Sequence, residues 1–238
     1  MMRFVIGFLL SILASISLVS PANAAVIDHD KVVGFEEVTP TTITQKVAKR
    51  FQPYLTVSTG CVPFPAVDAD GNTSGGLAPT GPHNGGCSSH IGQVYSRSTW
   101  HNGVWAIMYA WYFPKDSPSP GLGHRHDWEG IVVWVDNPAN PSPQLLSIAY
   151  SQHGNFYNVA PTDRNTREQR PLIRYSHAWP LNHSLWIHDQ VGGTQPLIGW
   201  DDLTPAARHA LNTTDFGAAN VPFNDHNFIN NLRKAWYR

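Results

Sequence analysis

Charge is scarce in this 238-residue chain: Asp, Glu, Lys and Arg together make up 14% of it, and the net charge is −1. No Lys/Arg-rich run occurs, so electrostatics give no support to nucleic-acid binding or to a polybasic membrane patch. The sequence contains no HExxH helix and no G-x-S-x-G elbow, the patterns that would announce a zinc protease or a serine hydrolase. Beyond the first two dozen residues no apolar run reaches the length needed to span a bilayer. Cysteine is nearly absent, with Cys61 and Cys87 alone.

What the chain has instead is aromatic residues and turn formers: 9 Trp, 8 Tyr, 10 Phe, 19 Gly and 19 Pro. Aromatic strands punctuated by Gly/Pro turns predict a mainly β protein, a sandwich with a few peripheral helices. Residues 1–24 read as a signal peptide, with Arg3 as a basic start, an apolar stretch over 4–19, and Ala22-Asn23-Ala24 as an A-x-A cleavage site. Export and a single domain over residues 25–238 are expected, since a chain of about 210 residues supports one sizeable core. In an exported protein, Cys61 and Cys87 are expected to pair and to tie down the Gly/Pro/Asp/Asn-rich segment between them.

Residues 41–55 carry Ile43, Val47, Ala48, Phe51 and Leu55 at helical spacing, with Thr41 or Thr42 as N-cap and Pro53 as the stop. Residues 103–113 are apolar on both alternating faces, which marks a central strand covered on both sides and broken at Pro114. Residues 130–135, 145–151 and 172–176 read as further strands, 136–142 as a turn and 152–170 as an exposed excursion. Short helices are expected over 203–212 and 227–237. Asn72, Asn182 and Asn212 each open a glycosylation sequon.

Against this apolar background the cluster His124, Arg125, His126, Asp127 and Glu129 stands out. Asp116, Asp127 and Glu129 offer carboxylate oxygens and His124 an imidazole nitrogen, a set suited to a hard divalent cation, Mg²⁺, Ca²⁺ or Mn²⁺. Zinc with His126 as a further nitrogen ligand is an alternative, and a salt-bridge cluster built around Arg125 is another. If residues 127–135 are extended, Asp127 and Glu129 share a face while His126 and Trp128 point away. His124 is expected in the loop before that strand, and Asp116 is expected to return across the loop 117–123. The loop around Trp179 and His183 suits contact with a sugar or a lipid head group.

The heptapeptide GHRHDWE at 123–129, preceded by AIMYAWYFPKD at 106–116, resembles the hallmark of the necrosis- and ethylene-inducing peptide-like proteins. The likeness continues through YSHAWPLNHSLW (175–186), GGTQPLIGWDDLTPAARHALN (192–212) and FGAANVPFNDHNF (216–228), and so covers nearly the whole chain past the leader. A single cysteine pair is similar to the type 1 branch. The resemblance implies a sandwich like that of fungal lectins and actinoporins. It also implies a secreted cytolysin that binds glycosylated sphingolipids of plant plasma membranes with a divalent metal, causes necrosis and is sensed by plant pattern-recognition receptors. It assigns ligand binding to Trp179 and His183; Asp116, His124, Asp127 and Glu129 remain the expected metal ligands by residue type, and His126 and Arg125 are further expected ligand-binding residues. Asn182 stands before His183, and where the family has an acidic residue there the change weakens any charge-based role. Two other readings are a non-cytotoxic lectin and a metal-dependent hydrolase using His124 or His126 as base.

Overall fold

The computed structural model describes residues 24–119, 121–177 and 180–238. The expected leader cleavage and Trp179 lie outside the described residues.

The architecture is mainly β. The large sheet has the spatial order β12-β4-β5-β6-β7-β8. In chain order these strands are β4 (Val94–His101), β5 (Val104–Asp116), β6 (His124–Val135), β7 (Leu145–Gln152), β8 (Asn155–Val159) and β12 (Leu197–Gly199). All its pairings are antiparallel except β12 with β4. A second sheet places β10 (Arg170–His177) between β11 (His183–Ile187) and β2 (Tyr54–Val57), with β9 (Thr166–Arg167) also pairing β10. A two-stranded patch joins β1 (Val26–Ile27) to β3 (Thr73–Ser74).

Both faces of β5 are covered, as its two apolar rows predict. On one face, Phe113 stacks on Tyr175 of β10 with centroids 3.8 Å apart. Tyr109 donates to the Ala48 carbonyl of α1 (Ile43–Arg50). On the other, Tyr112 meets Trp128 and Phe216, and further along the sheet Trp134 donates to the Ala235 carbonyl beyond α3 (Phe228–Lys234). The second sheet and α1 therefore close one side. The C-terminal segment, with α2 (Pro205–Thr213) and α3, closes the other.

Several boundaries move from the expected ones. Helix α1 begins after Thr42, which forms a capping box with Gln45, but ends at Arg50, and Leu55 belongs to β2. The residues just before Pro53 are disfavoured in the helical region, and pairing with β10 captures the chain beyond it. Ile43 sits on the solvent side of the first turn and is exposed. The excursion 152–170 is not loop throughout: β8 pairs with β7, because Asn155–Val159 can add an edge strand with half-exposed side chains. Strand β5 does not break at Pro114 but runs on to Asp116, and β6 starts at His124, so the two pair to their ends. Cys61 and Cys87 form the expected disulfide. Two sequon amides are already engaged, Asn72 on Asp68 and Asn212 on Asp225. Among the described residues, no helix is long and apolar enough to cross a membrane.

Candidate functional site

The end of the β5–β6 hairpin is built around a defect in its ladder. Phe113 pairs with Asp127 and Lys115 with Arg125, but Pro114 and His126 are unpaired. Proline has no N–H to give. Opposite it, His126 takes φ +60°, the left-handed region that side chains rarely occupy. Strict alternation would send Asp116 and His124 away from Asp127 and Glu129. The irregularity resets the phase, as bulges do. Asp116, His124, Asp127 and Glu129 then line one pocket. Arg125 and Lys115 turn to the opposite side with His126.

The two cations are held there by carbonyls of the disulfide-closed segment. Arg125 donates to the carbonyls of Gly75 and Gly76, and buried Lys115 to those of Thr80 and Pro82. His126 is buried beside them, hydrogen-bonded to the Tyr112 hydroxyl at 2.6 Å and packed edge-on to Phe216. Burial and the neighbouring Arg125 lower its pKa to about 4, so it is neutral. Gly76, at φ +60°, leaves room for this ring: a Cβ there would fall 2.6 Å from its Nδ1.

The pocket opens because β7 leaves β6 after Tyr150, baring the edge of residues 124–130. Asp116, Asp127 and Glu129 are 1%, 6% and 7% exposed. Desolvation, reinforced by the charge of Asp116, raises Asp127 to about 7. Desolvation and the charge of Asp127 push Glu129 well above the carboxylate range. Each acid has a dedicated partner. His183 contacts Asp116 twice, its backbone N–H donating at 3.0 Å and its ring Nδ1 at 2.6 Å. Tyr175 donates to Asp127 at 2.7 Å, and the Ser151 hydroxyl to Glu129. The His124 Nδ1 lies 2.7 Å from the His126 carbonyl. A carbonyl only accepts, so Nδ1 carries a proton, and Nε2 lies 3.8 Å from Asp116.

Three acids share one pocket with no Lys or Arg paired to them among the described residues, a crowding that either a proton or a cation relieves. The donor set, carboxylates with one imidazole, fits a hard divalent ion. Among the described residues no three of these side chains converge tightly enough to enclose an ion unaided.

The structure separates the expected ligand-binding residues. His183 borders the pocket and is buried; its ring Nδ1 meets Asp116, while Nε2 has no hydrogen-bond partner among the described residues. Arg125 and His126 belong to the reverse side. Sequence reasoning missed Tyr175 and Ser151 as partners of the acids. It also missed the far wall, where Asn227, Asn231 and Lys234 project from α3 and the residue before it. The 227/231 spacing of polar residues on one helical face was a readable signal.

A family model described as necrosis inducing protein (NPP1) matches residues 45–235. The relative named NLP effector protein 10 of Phytophthora capsici is 53% identical, over 92% of this chain and 95% of its own. Among solved structures, NLPPya in complex with mannosamine is 48% identical with a TM-score of 0.86, covering 90% of this chain and 100% of its own. A structure of NLPPya with glucosamine is similarly close at 47% and 0.85, again over 90% and 100%. Non-toxic HaNLP3 is 48% identical with a TM-score of 0.85, over 87% and 98%. A match across most of the strands, helices and hairpins described above leaves one assignment: the chain belongs to the necrosis-inducing protein (NPP1) family.

Proposed function

We propose that this protein is a secreted cytolysin that grips the sugar head group of plant plasma-membrane sphingolipids at the β5–β6 pocket, with a divalent cation, and permeabilises the membrane. The observation that carries the reading is the crowding of Asp116, Asp127 and Glu129 in one pocket while Arg125 and Lys115 are drawn to the other side. Burying three acids with no Lys or Arg paired to them is costly, and a bound cation would offset it. Asp116, His124, Asp127 and Glu129 would hold the ion, Mg²⁺ or Ca²⁺, and the ion would supply a Lewis-acidic acceptor site for sugar hydroxyls.

The chain's own residues set the rest. His183 and Tyr175 orient two of the acids, and Asn227, Asn231 and Lys234 give donors on the facing wall. Aminosugars occupy the related NLPPya, and relatives carry effector and necrosis-inducing names, which suits a non-enzymatic role.

Dye-loaded liposomes with and without a glycosylated sphingolipid test this. Leakage confined to the glycosylated vesicles, abolished by a chelator and without release of a lipid fragment, is expected. Leakage that ignores the lipid or the chelator would sink the proposal, and a cleaved head group would make the protein a hydrolase. A second reading, a lectin that binds the sugar without lysis, is favoured by the likeness to non-toxic HaNLP3. Glycan binding without leakage would select it.

A further inference from the structure

A second cleft lies on the β10–β11 sheet, away from the acids. It is an open space of about 380 Å³ bordered by Thr162, Arg164, Arg174, Ile187, His188 and Asp189. Its chemistry is the reverse of the first. Arg174 projects from β10 opposite Trp186, and its Nε is buried without a hydrogen-bond partner among the described residues. A guanidinium nitrogen sealed from water with no acceptor is a costly state that an acceptor would relieve. Arg164 sits across the cleft with an exposed side chain. His188 adds an imidazole whose Nδ1 is 3.5 Å from Asp189. Asp189 is the one acid bordering the cleft, and its carboxylate is 76% exposed, beyond salt-bridge distance of either arginine.

We propose that this cleft binds an oxyanion of the phosphate type, free or as a phosphate ester. Two arginines and a histidine around one space match the fork geometry in which guanidinium groups hold phosphate oxygens. Arg174 supplies the unpartnered donor, its side chain turning the Nε–H to the cleft as the anion enters, and Arg164 adds a second guanidinium at the rim. The open mouth leaves room for the esterified remainder of a phosphate ester.

The site stands apart from the acidic pocket and does not rest on the proposed function. His188 follows the end of β11 that is remote from His183, and the two are roughly 16 Å apart along the strand. An anion here therefore does not compete with a cation there.

The test uses the full exported chain, ¹⁵N-labelled and pretreated with chelator, so that the acidic pocket cannot capture phosphate through a metal. Inorganic phosphate is titrated while the arginine Nε–H signals are followed. Phosphatidic-acid vesicles, with phosphatidylcholine vesicles as the neutral control, form the second arm. A saturable shift of the Arg174 Nε–H with phosphate, and an affinity at least tenfold weaker in Arg174→Gln and in Arg164→Gln, are expected. Arg167→Gln, a nearby surface charge outside the cleft, is expected to change nothing. Tighter binding to phosphatidic-acid vesicles than to free phosphate would identify a lipid as the source of the anion, and free-phosphate binding alone would identify a small solute. No Arg174 shift in either arm, or an equal loss in Arg167→Gln, overturns the proposal. Circular dichroism of each variant separates lost binding from lost folding.

Discussion

Strands β5 and β6 divide into two halves whose inward side chains are both buried but opposite in chemistry. Around Tyr109 and Ile131, both strands are sealed by aromatic and aliphatic side chains. Around Asp116 and Asp127 the inward side chains are buried too, but they are acids and border an open pocket. Burying the first kind of surface stabilises the fold by roughly 25 cal/mol per Å². Burying the second opposes it. The inner half thus supplies the rigidity on which the outer half draws.

The comparison can be broken from its outer side first. Replacing Asp127 by Asn is expected to weaken divalent-ion affinity by ~100-fold or more, measured by calorimetry, and to abolish leakage of glycosphingolipid vesicles. Unchanged affinity would show that the acids are not an ion site. On the inner side, Trp134→Ala should cost about 3–5 kcal/mol in urea unfolding, with ion affinity retained in the folded fraction. Removing both cysteines, Cys61→Ala with Cys87→Ala, should cost roughly 3 kcal/mol by the same measurement. Tyr175→Phe, which leaves Asp127 without its hydroxyl donor, is expected to lower ion affinity about tenfold and stability by about 1 kcal/mol. The mildest change sharpens the contrast most. With chelator present, Glu129→Gln should leave stability unchanged or slightly raised, because burial and the charge of Asp127 already disfavour the ionised carboxylate at that position. A large loss would mean that the acids support the fold by themselves.

Much of this was legible in the sequence, and the failures have physical causes. The two apolar rows of β5 announced a strand covered on both faces, and the cysteine pair was found as expected. Asp127 and Glu129 share a face, as period-two alternation requires. The same alternation fails at His124, because the unpaired Pro114 and the left-handed His126 shift the phase by one residue. A proline was visible, but whether it would end a strand or kink it depends on a partner strand that sequence spacing does not display. For the same reason Tyr175 and Ser151 read as ordinary strand residues. Their role comes from tertiary contacts with residues 48 and 22 positions away.

The carbonyls that hold Arg125 and Lys115 belong to the stretch stapled by Cys61 and Cys87. That stretch therefore works as a charge separator, keeping two positive side chains from neutralising the acids a few ångströms across the strand. Reducing the disulfide is expected to slacken those carbonyls first, loosening the hold on Lys115 and Arg125 before the sheets themselves give way.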